Sequence, residues 1–153
     1  MRFLELKVPP PAVAVLLGAA MWFVSDSGPS IELPWVARLL ALVLGGLSGT
    51  ALALAGDLAF RRARTTINPF RPQNTSSLVT SGVYRVTRNP MYLGLLVALF
   101  GWCVFLGSAF GLLGPVAFVA YITRFQIIPE ERVLLAKFGS AYSEYLQNVR
   151  RWV

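Results

Sequence analysis

The sequence predicts an all-α integral membrane bundle of four transmembrane helices with a cytoplasmic C-terminal helical segment, and three observations carry that expectation. Hydrophobic residues make up 56% of the chain and charged residues only 14%, against about 25% charged in soluble domains. Four apolar runs approach the ~20 residues a helix needs to cross a hydrocarbon core about 30 Å thick. The segments between those runs alternate between arginine-rich and free of basic residues, the pattern of the positive-inside rule. The 153 residues suffice for a single domain, 1–153.

The first run, 8–24, opens on Pro9-Pro10-Pro11. Arg2 and Lys7 ahead of a short apolar stretch also fit a cleaved signal peptide, although the prolines and the following Asp26 fit that poorly. The second run, 35–60, follows Pro34 and carries Gly45, Gly49 and Ala53 four residues apart. That spacing of small residues implies close packing against another helix. Asp57 stands four residues before Arg61, which reads as an interfacial ion pair or as a contact to a ligand. The third run, 92–107, and the fourth, 110–128, form a tight hairpin through a glycine-rich turn. Backbone facing lipid must satisfy its own hydrogen bonds, so all four runs are read as helices.

Orientation follows from the arginines. The segment 61–90 holds Arg61, Arg62, Arg64, Arg71, Arg85 and Arg88, and the tail adds Arg132, Lys137, Arg150 and Arg151. The loop 25–34 has Asp26 and Glu32 and no basic residue. Both termini and the middle segment are therefore expected on the cytoplasmic side, in a prokaryotic inner membrane. The formal charge of +7 then reflects an anionic membrane surface, with no separate basic module for nucleic acid. The chain has no histidine, which excludes His-ligated metal sites and Ser-His-Asp triads. Cys103 is the single cysteine and lies in an apolar run, where it reads as a small packing residue.

Chemistry is expected in two segments, 82–94 and 129–153. The connection between the second and third runs is too long to be passive, and Asn68-Pro69 and Arg71-Pro72 hold it extended. It is polar through 75–81, then ends in Gly82-Val83-Tyr84-Arg85-Val86-Thr87-Arg88-Asn89-Pro90-Met91-Tyr92-Leu93-Gly94. A positive-inside anchor explains the arginines but not this density of Gly, Asn, Pro and Tyr. The tail starts at Pro129-Glu130-Glu131-Arg132, a proline and two acids suited to a helix start. Leu134, Phe138, Tyr142, Tyr145, Val149 and Trp152 continue at spacings of three and four, a helical stripe interrupted by Gly139-Ser140. That stripe suits a helix lying on the membrane surface or covering a site.

These two segments resemble a known family. Arg88-Asn89-Pro90-Met91-Tyr92-Leu93-Gly94 is similar to the R-H-P-x-Y-x-G motif of the isoprenylcysteine carboxyl methyltransferase and phospholipid methyltransferase superfamily. Glu130-Glu131-Arg132-x-Leu134, then Phe138-Gly139, Tyr142 and Tyr145, resembles its E-E-x-x-L…F-G-x-x-Y-x-x-Y region, and Thr66-Ile67-Asn68-Pro69 and Gly82-Val83-Tyr84-Arg85 resemble bacterial members. The resemblance covers about residues 60–153 and implies a membrane site for S-adenosylmethionine with no Rossmann domain. It implies cofactor contacts from Tyr84, Arg88, Asn89, Pro90, Tyr92, Gly94, Glu130, Glu131, Tyr142 and Tyr145, with Arg88, Asn89 and Glu131 at the catalytic centre and no metal. Asn89 stands where eukaryotic members have His, so a proton-shuttle role is not expected there. Arg150 stands where a tail proline is common.

In such a site Arg88 or Arg85 would bind the cofactor carboxylate, Glu130 or Glu131 its amino group or ribose, and the tyrosines its adenine or sulfonium. The implied reaction is methylation of a lipid-like or prenylated acceptor drawn from the bilayer, with carboxyl O-methylation favoured because a carboxylate needs no base. Two other classes remain open: an NADPH-dependent membrane lipid reductase and a non-catalytic scaffold of the same fold. The oligomeric state is not legible.

Overall fold

The computed structural model describes residues 4–64 and 76–153. Arg2, the Thr66-Ile67-Asn68-Pro69 and Arg71-Pro72 signals and Thr75 lie outside the described residues. Among the described residues the elements are helical, with one isolated bridge between Ser30 and Ser108. Helix α1 is Pro10–Val24, α2 Trp35–Arg62, α3 Pro90–Leu106, α4 Leu113–Ile122, α5 Ile128–Phe138 and α6 Ser140–Asn148. Short 3-10 turns occupy Ser25–Ser27, Gly82–Arg85 and Ala109–Leu112.

Prolines set three helix starts. Pro10 and Pro90 stand in the first turns of α1 and α3, and Pro34 immediately precedes α2. Each supplies a φ already suited to a helix where a missing N–H costs nothing. At the far end of α3, Gly107 adopts a left-handed φ of 65° and its N–H returns to Cys103 O and Val104 O, closing the helix. Arg38, from the first turns of α2, donates Nε to Phe105 O at 2.6 Å and Nη2 to Leu106 O at 2.7 Å. A cation thus meets the negative end of α3 and satisfies carbonyls the helix leaves open.

Helices α2 and α3 pack along their glycines. A Cβ added at Gly49 would strike Gly94 O, and one added at Gly94 would strike Gly49 O. Gly45 meets Gly101 in the same way one turn further along. The expected small-residue contact of the second run is therefore with the third. Phe118, Ile122, Ile127, Met21, Leu99 and Cys103 fill the core among α1, α3 and the fourth helical stretch. Outward, α2 exposes Leu39, Leu40, Leu44, Leu47 and Leu54, an apolar face unsuited to water. Among the described residues three stretches are long and apolar enough to cross a membrane: Pro10–Ser27, Trp35–Arg62 and Ala109–Phe138. Helix α3, at 17 residues, is a shorter apolar helix.

The fourth stretch differs from its expected form. Pro129 stands in the first turn of α5 ahead of Glu130 and Glu131, as expected, but the chain enters that turn already helical. Helix α4 passes through a π turn at Thr123–Ile127 straight into α5. The reason is Pro129, which has no N–H for the carbonyl four residues back and whose ring crowds it. That carbonyl, Phe125 O, instead accepts from Leu6 N at 3.0 Å. Widened turns of this kind occur mostly at functional sites, and this one places Gln126, 2% exposed, against the residues described next. The expected break at Gly139-Ser140 is present: Gly139 has φ 54° and ψ −124°, a region open essentially to glycine, and it turns α6 away from α5.

Candidate functional site

The two expected segments meet at one end of the bundle. Arg88 and Asn89 lie just before α3, Tyr92 in its first turn, Glu130 and Glu131 in the first turn of α5, and Tyr142 and Tyr145 on α6. The adjacent glutamates have different partners. Glu130 Oε1 accepts from Tyr92 Oη at 2.7 Å and from Gln126 Nε2 at 2.6 Å. Among the described residues no cation is paired with it. Glu131 lies between two arginines: Arg151 Nε and Nη2 reach its oxygens at 3.0 and 2.7 Å, and Arg88 Nη1 stands 3.2 Å from Oε1.

Arg88 has the unusual environment. Its side chain is 11% exposed, and neither Nε nor Nη1 has a hydrogen-bond partner. The approach of Nη1 to Glu131 is a charge contact without hydrogen-bond alignment. Buried donors left unmade are costly, so an arginine in this state suits an incoming anion.

The chain's last residues close this end. Arg88 N donates to Arg150 O at 3.0 Å, Asn89 Nδ2 to Arg151 O at 2.9 Å, and Trp152 Nε1 to Thr123 Oγ1 at 3.2 Å. Thr87, 1% exposed, accepts from Asn89 N and donates to Arg151 O. The Asn89 amide is therefore directed at the tail backbone. Tyr145 Oη donates to Tyr84 O at 2.7 Å, which pins α6 to the Gly82–Arg85 turn. Tyr84 packs edge-on against Phe60, and Tyr142 lies 6.1 Å from Tyr145. Burial raises the Tyr84 and Tyr142 hydroxyls well above the ordinary tyrosine value and raises Tyr145 to about 12. The hydrogen bond to Glu131 raises Arg151 further. All three hydroxyls stay protonated at neutral pH, and Tyr145 is the one seen to donate.

Of the expected residues, Tyr84, Arg88, Asn89, Tyr92, Glu130, Glu131, Tyr142 and Tyr145 share this end through the contacts above. Pro90 starts α3, and the close approach that Gly94 permits is to the α2 backbone. Asp57 pairs with Arg61 at 2.5 Å, the simpler of its two expected roles. Sequence reasoning missed Thr87, Gln126, Arg151 and Trp152. An amide in the last turn of an apolar run was the available signal for Gln126. An Arg-Trp pair at the end of the tail was the signal for Arg151 and Trp152. An open cavity of about 860 Å³ lined by Asp26, Glu32 and Arg38 lies at the opposite end of α3 and shares no residue with this site.

A phospholipid methyltransferase family model matches residues 36–141. The chain is 33% identical over 132 residues to protein-S-isoprenylcysteine O-methyltransferase B of Arabidopsis thaliana, covering 84% of this chain and 58% of that protein. It has the same identity to a probable protein-S-isoprenylcysteine O-methyltransferase of Oryza sativa, of which it covers 60%. It thus spans about three fifths of the length of these plant relatives. A 63-residue uncharacterized protein of Haemophilus influenzae is 46% identical over its whole length, 41% of this chain. No solved structure matches the chain significantly.

Proposed function

The chain belongs to the phospholipid methyltransferase family, in the superfamily shared with the isoprenylcysteine carboxyl methyltransferases, and from that premise we propose that it methylates a lipid-like or prenylated acceptor with S-adenosylmethionine at the cytoplasmic membrane face. In this reading α3 completes a bundle of four spans, and 61–90 and both termini lie in the cytoplasm, where their arginines accumulate. The single observation that carries the reading is the pairing of charges at the site. Buried Arg88 has donors without acceptors, while Glu130, next to the Glu131 that Arg88 approaches, has only neutral partners among the described residues. An amino-acid zwitterion, negative at one end and positive at the other, fits that pair.

When bound, the cofactor supplies a methyl group activated on a sulfonium sulfur, so transfer is an in-line displacement that needs alignment and a dry site. Arg88, with Nε and Nη1 unpaired, would hold the carboxylate. Glu130, held by Tyr92 and Gln126, would take the amino group. Tyr84, Tyr142 and Tyr145 offer ring faces to adenine or to the sulfonium, and the tail and α6 exclude water. Asn89 and Glu131 hold the segment that presents Arg88. An acceptor carboxylate is ionised at neutral pH and requires no base, which favours carboxyl O-methylation. A second reading, amine N-methylation, has one observation in its favour: Glu130 has no cationic partner among the described residues and could take the proton an ammonium must lose.

Direct titration of detergent-solubilised protein with S-adenosylmethionine, S-adenosylhomocysteine and NADPH tests the class. Micromolar binding of the first two and none of NADPH is expected. Binding of NADPH alone would move the assignment to a lipid reductase, and binding of none to a scaffold. Labelled methyl transfer to a prenylcysteine against phosphatidylethanolamine vesicles then separates the two acceptor chemistries.

A further inference from the structure

The tail contains an arginine whose geometry bears on how the site is poised. We propose, resting on the methyltransferase reading above, that Arg151 is a positioning residue: by taking the Glu131 carboxylate on its own fork it keeps Arg88 open for the carboxylate of the adenosyl ligand. Arg151 holds both Glu131 oxygens, at 3.0 and 2.7 Å, whereas Arg88 reaches one of them at 3.2 Å and makes no hydrogen bond from Nε or Nη1.

A carboxylate beside two guanidiniums aligns with one fork at a time. Here it is aligned with Arg151, the more exposed of the two at 35% against 11% for Arg88. The buried arginine is therefore the one left with open donors. Without Arg151, Glu131 has Arg88 as its nearest remaining cation and turns onto it, consuming the donors that an incoming anion would use.

The backbone around Arg151 makes this arrangement specific. Arg150 O accepts from Arg88 N, and Arg151 O accepts from Asn89 Nδ2. Trp152 anchors the next position to Thr123 in the π turn. The tail, the segment before α3 and the start of α5 are thus registered against one another, and the Arg151 guanidinium falls on Glu131. Nothing in this arrangement requires Arg151 to touch the ligand.

The test compares two ligands that differ by the amino-acid end. S-adenosylhomocysteine carries the carboxylate, and 5′-methylthioadenosine has the same nucleoside and thioether without it. Binding of both is measured by calorimetry on the wild type, Arg151→Ala and Arg151→Lys. Arg151→Ala is expected to weaken S-adenosylhomocysteine about tenfold or more, the scale of a hydrogen bond to a charged group, and to leave 5′-methylthioadenosine unchanged. Arg151→Lys, which neutralises Glu131 without a fork, is expected to recover part of the loss. Equal weakening of both ligands would make the tail a structural strap only and overturn the proposal. Wild-type affinity for S-adenosylhomocysteine in Arg151→Ala would overturn it as well. A wild type that binds neither ligand would instead remove the methyltransferase reading, and this proposal with it.

Discussion

Two neighbouring glutamates illustrate how far environment, more than residue type, assigns a role. Glu131 is held by arginines on two sides, and Glu130 by a phenol and an amide. Arg88→Ala removes the open guanidinium and is expected to weaken S-adenosylmethionine binding by about tenfold to a hundredfold in a folded protein, as read by calorimetry beside a thermal melt. Glu131→Gln is expected to weaken binding as well, because it releases Arg151 and loosens the segment that presents Arg88. Unchanged affinity in both variants would remove the site assignment. Asp57 is already paired with Arg61 on the surface of α2, where such pairs contribute little. Asp57→Asn is expected to leave affinity within about twofold, on the scale of a few tenths of a kcal/mol, in the same titration.

At the scale of elements, the α2–α3 contact is a backbone contact. Gly94→Ala places a methyl group where Gly49 O stands, so the helices must separate. The expected cost is about 1–3 kcal/mol, as for other overpacked sites, seen as a lower unfolding temperature in detergent. Helix α6 is held differently, through the proton of Tyr145 on Tyr84 O. Burial raises the folded-state pKa of Tyr145 to about 12, above the ordinary tyrosine value of 10.0. That stabilisation is complete below about pH 10 and is lost as pH rises through about 12. Absorbance at 295 nm should show late tyrosine ionisation in the wild type, with one late-titrating group fewer in Tyr145→Phe. Ionisation of every tyrosine near pH 10 would contradict the observed docking of α6.

At the scale of the molecule, the prediction is sidedness. Ser140→Cys, at the start of α6, should react with an impermeant thiol reagent from the cytoplasmic side, and Ser27→Cys, after α1, from the other. Cys103 is 3% exposed and should stay unlabelled in intact protein. Reaction of both introduced cysteines from one side would contradict the three spans read between them and the expected orientation. The whole-molecule frame was the most legible part of the sequence. The runs 8–24, 35–60 and 92–107 recur as α1, α2 and α3 within two residues at each end. Lipid leaves the backbone few alternatives to a helix, so composition alone marks the elements.

What the sequence determined by itself was the helical architecture, the family and the two segments that converge, because each is encoded in local composition or in short contiguous motifs. The π turn was within reach of sequence too, since Pro129 interrupts an otherwise helical run, but the donor that reaches Phe125 O, Leu6 N, comes from the far end of the sequence. The tertiary structure decided the division of labour within the site. Which glutamate meets arginine, where the Asn89 amide points and what Arg151 holds are set by partners 20 to 62 residues away in sequence. Charges of the same type in one motif are indistinguishable until folding brings each its neighbours, and the energies that separate their roles arise only from those contacts.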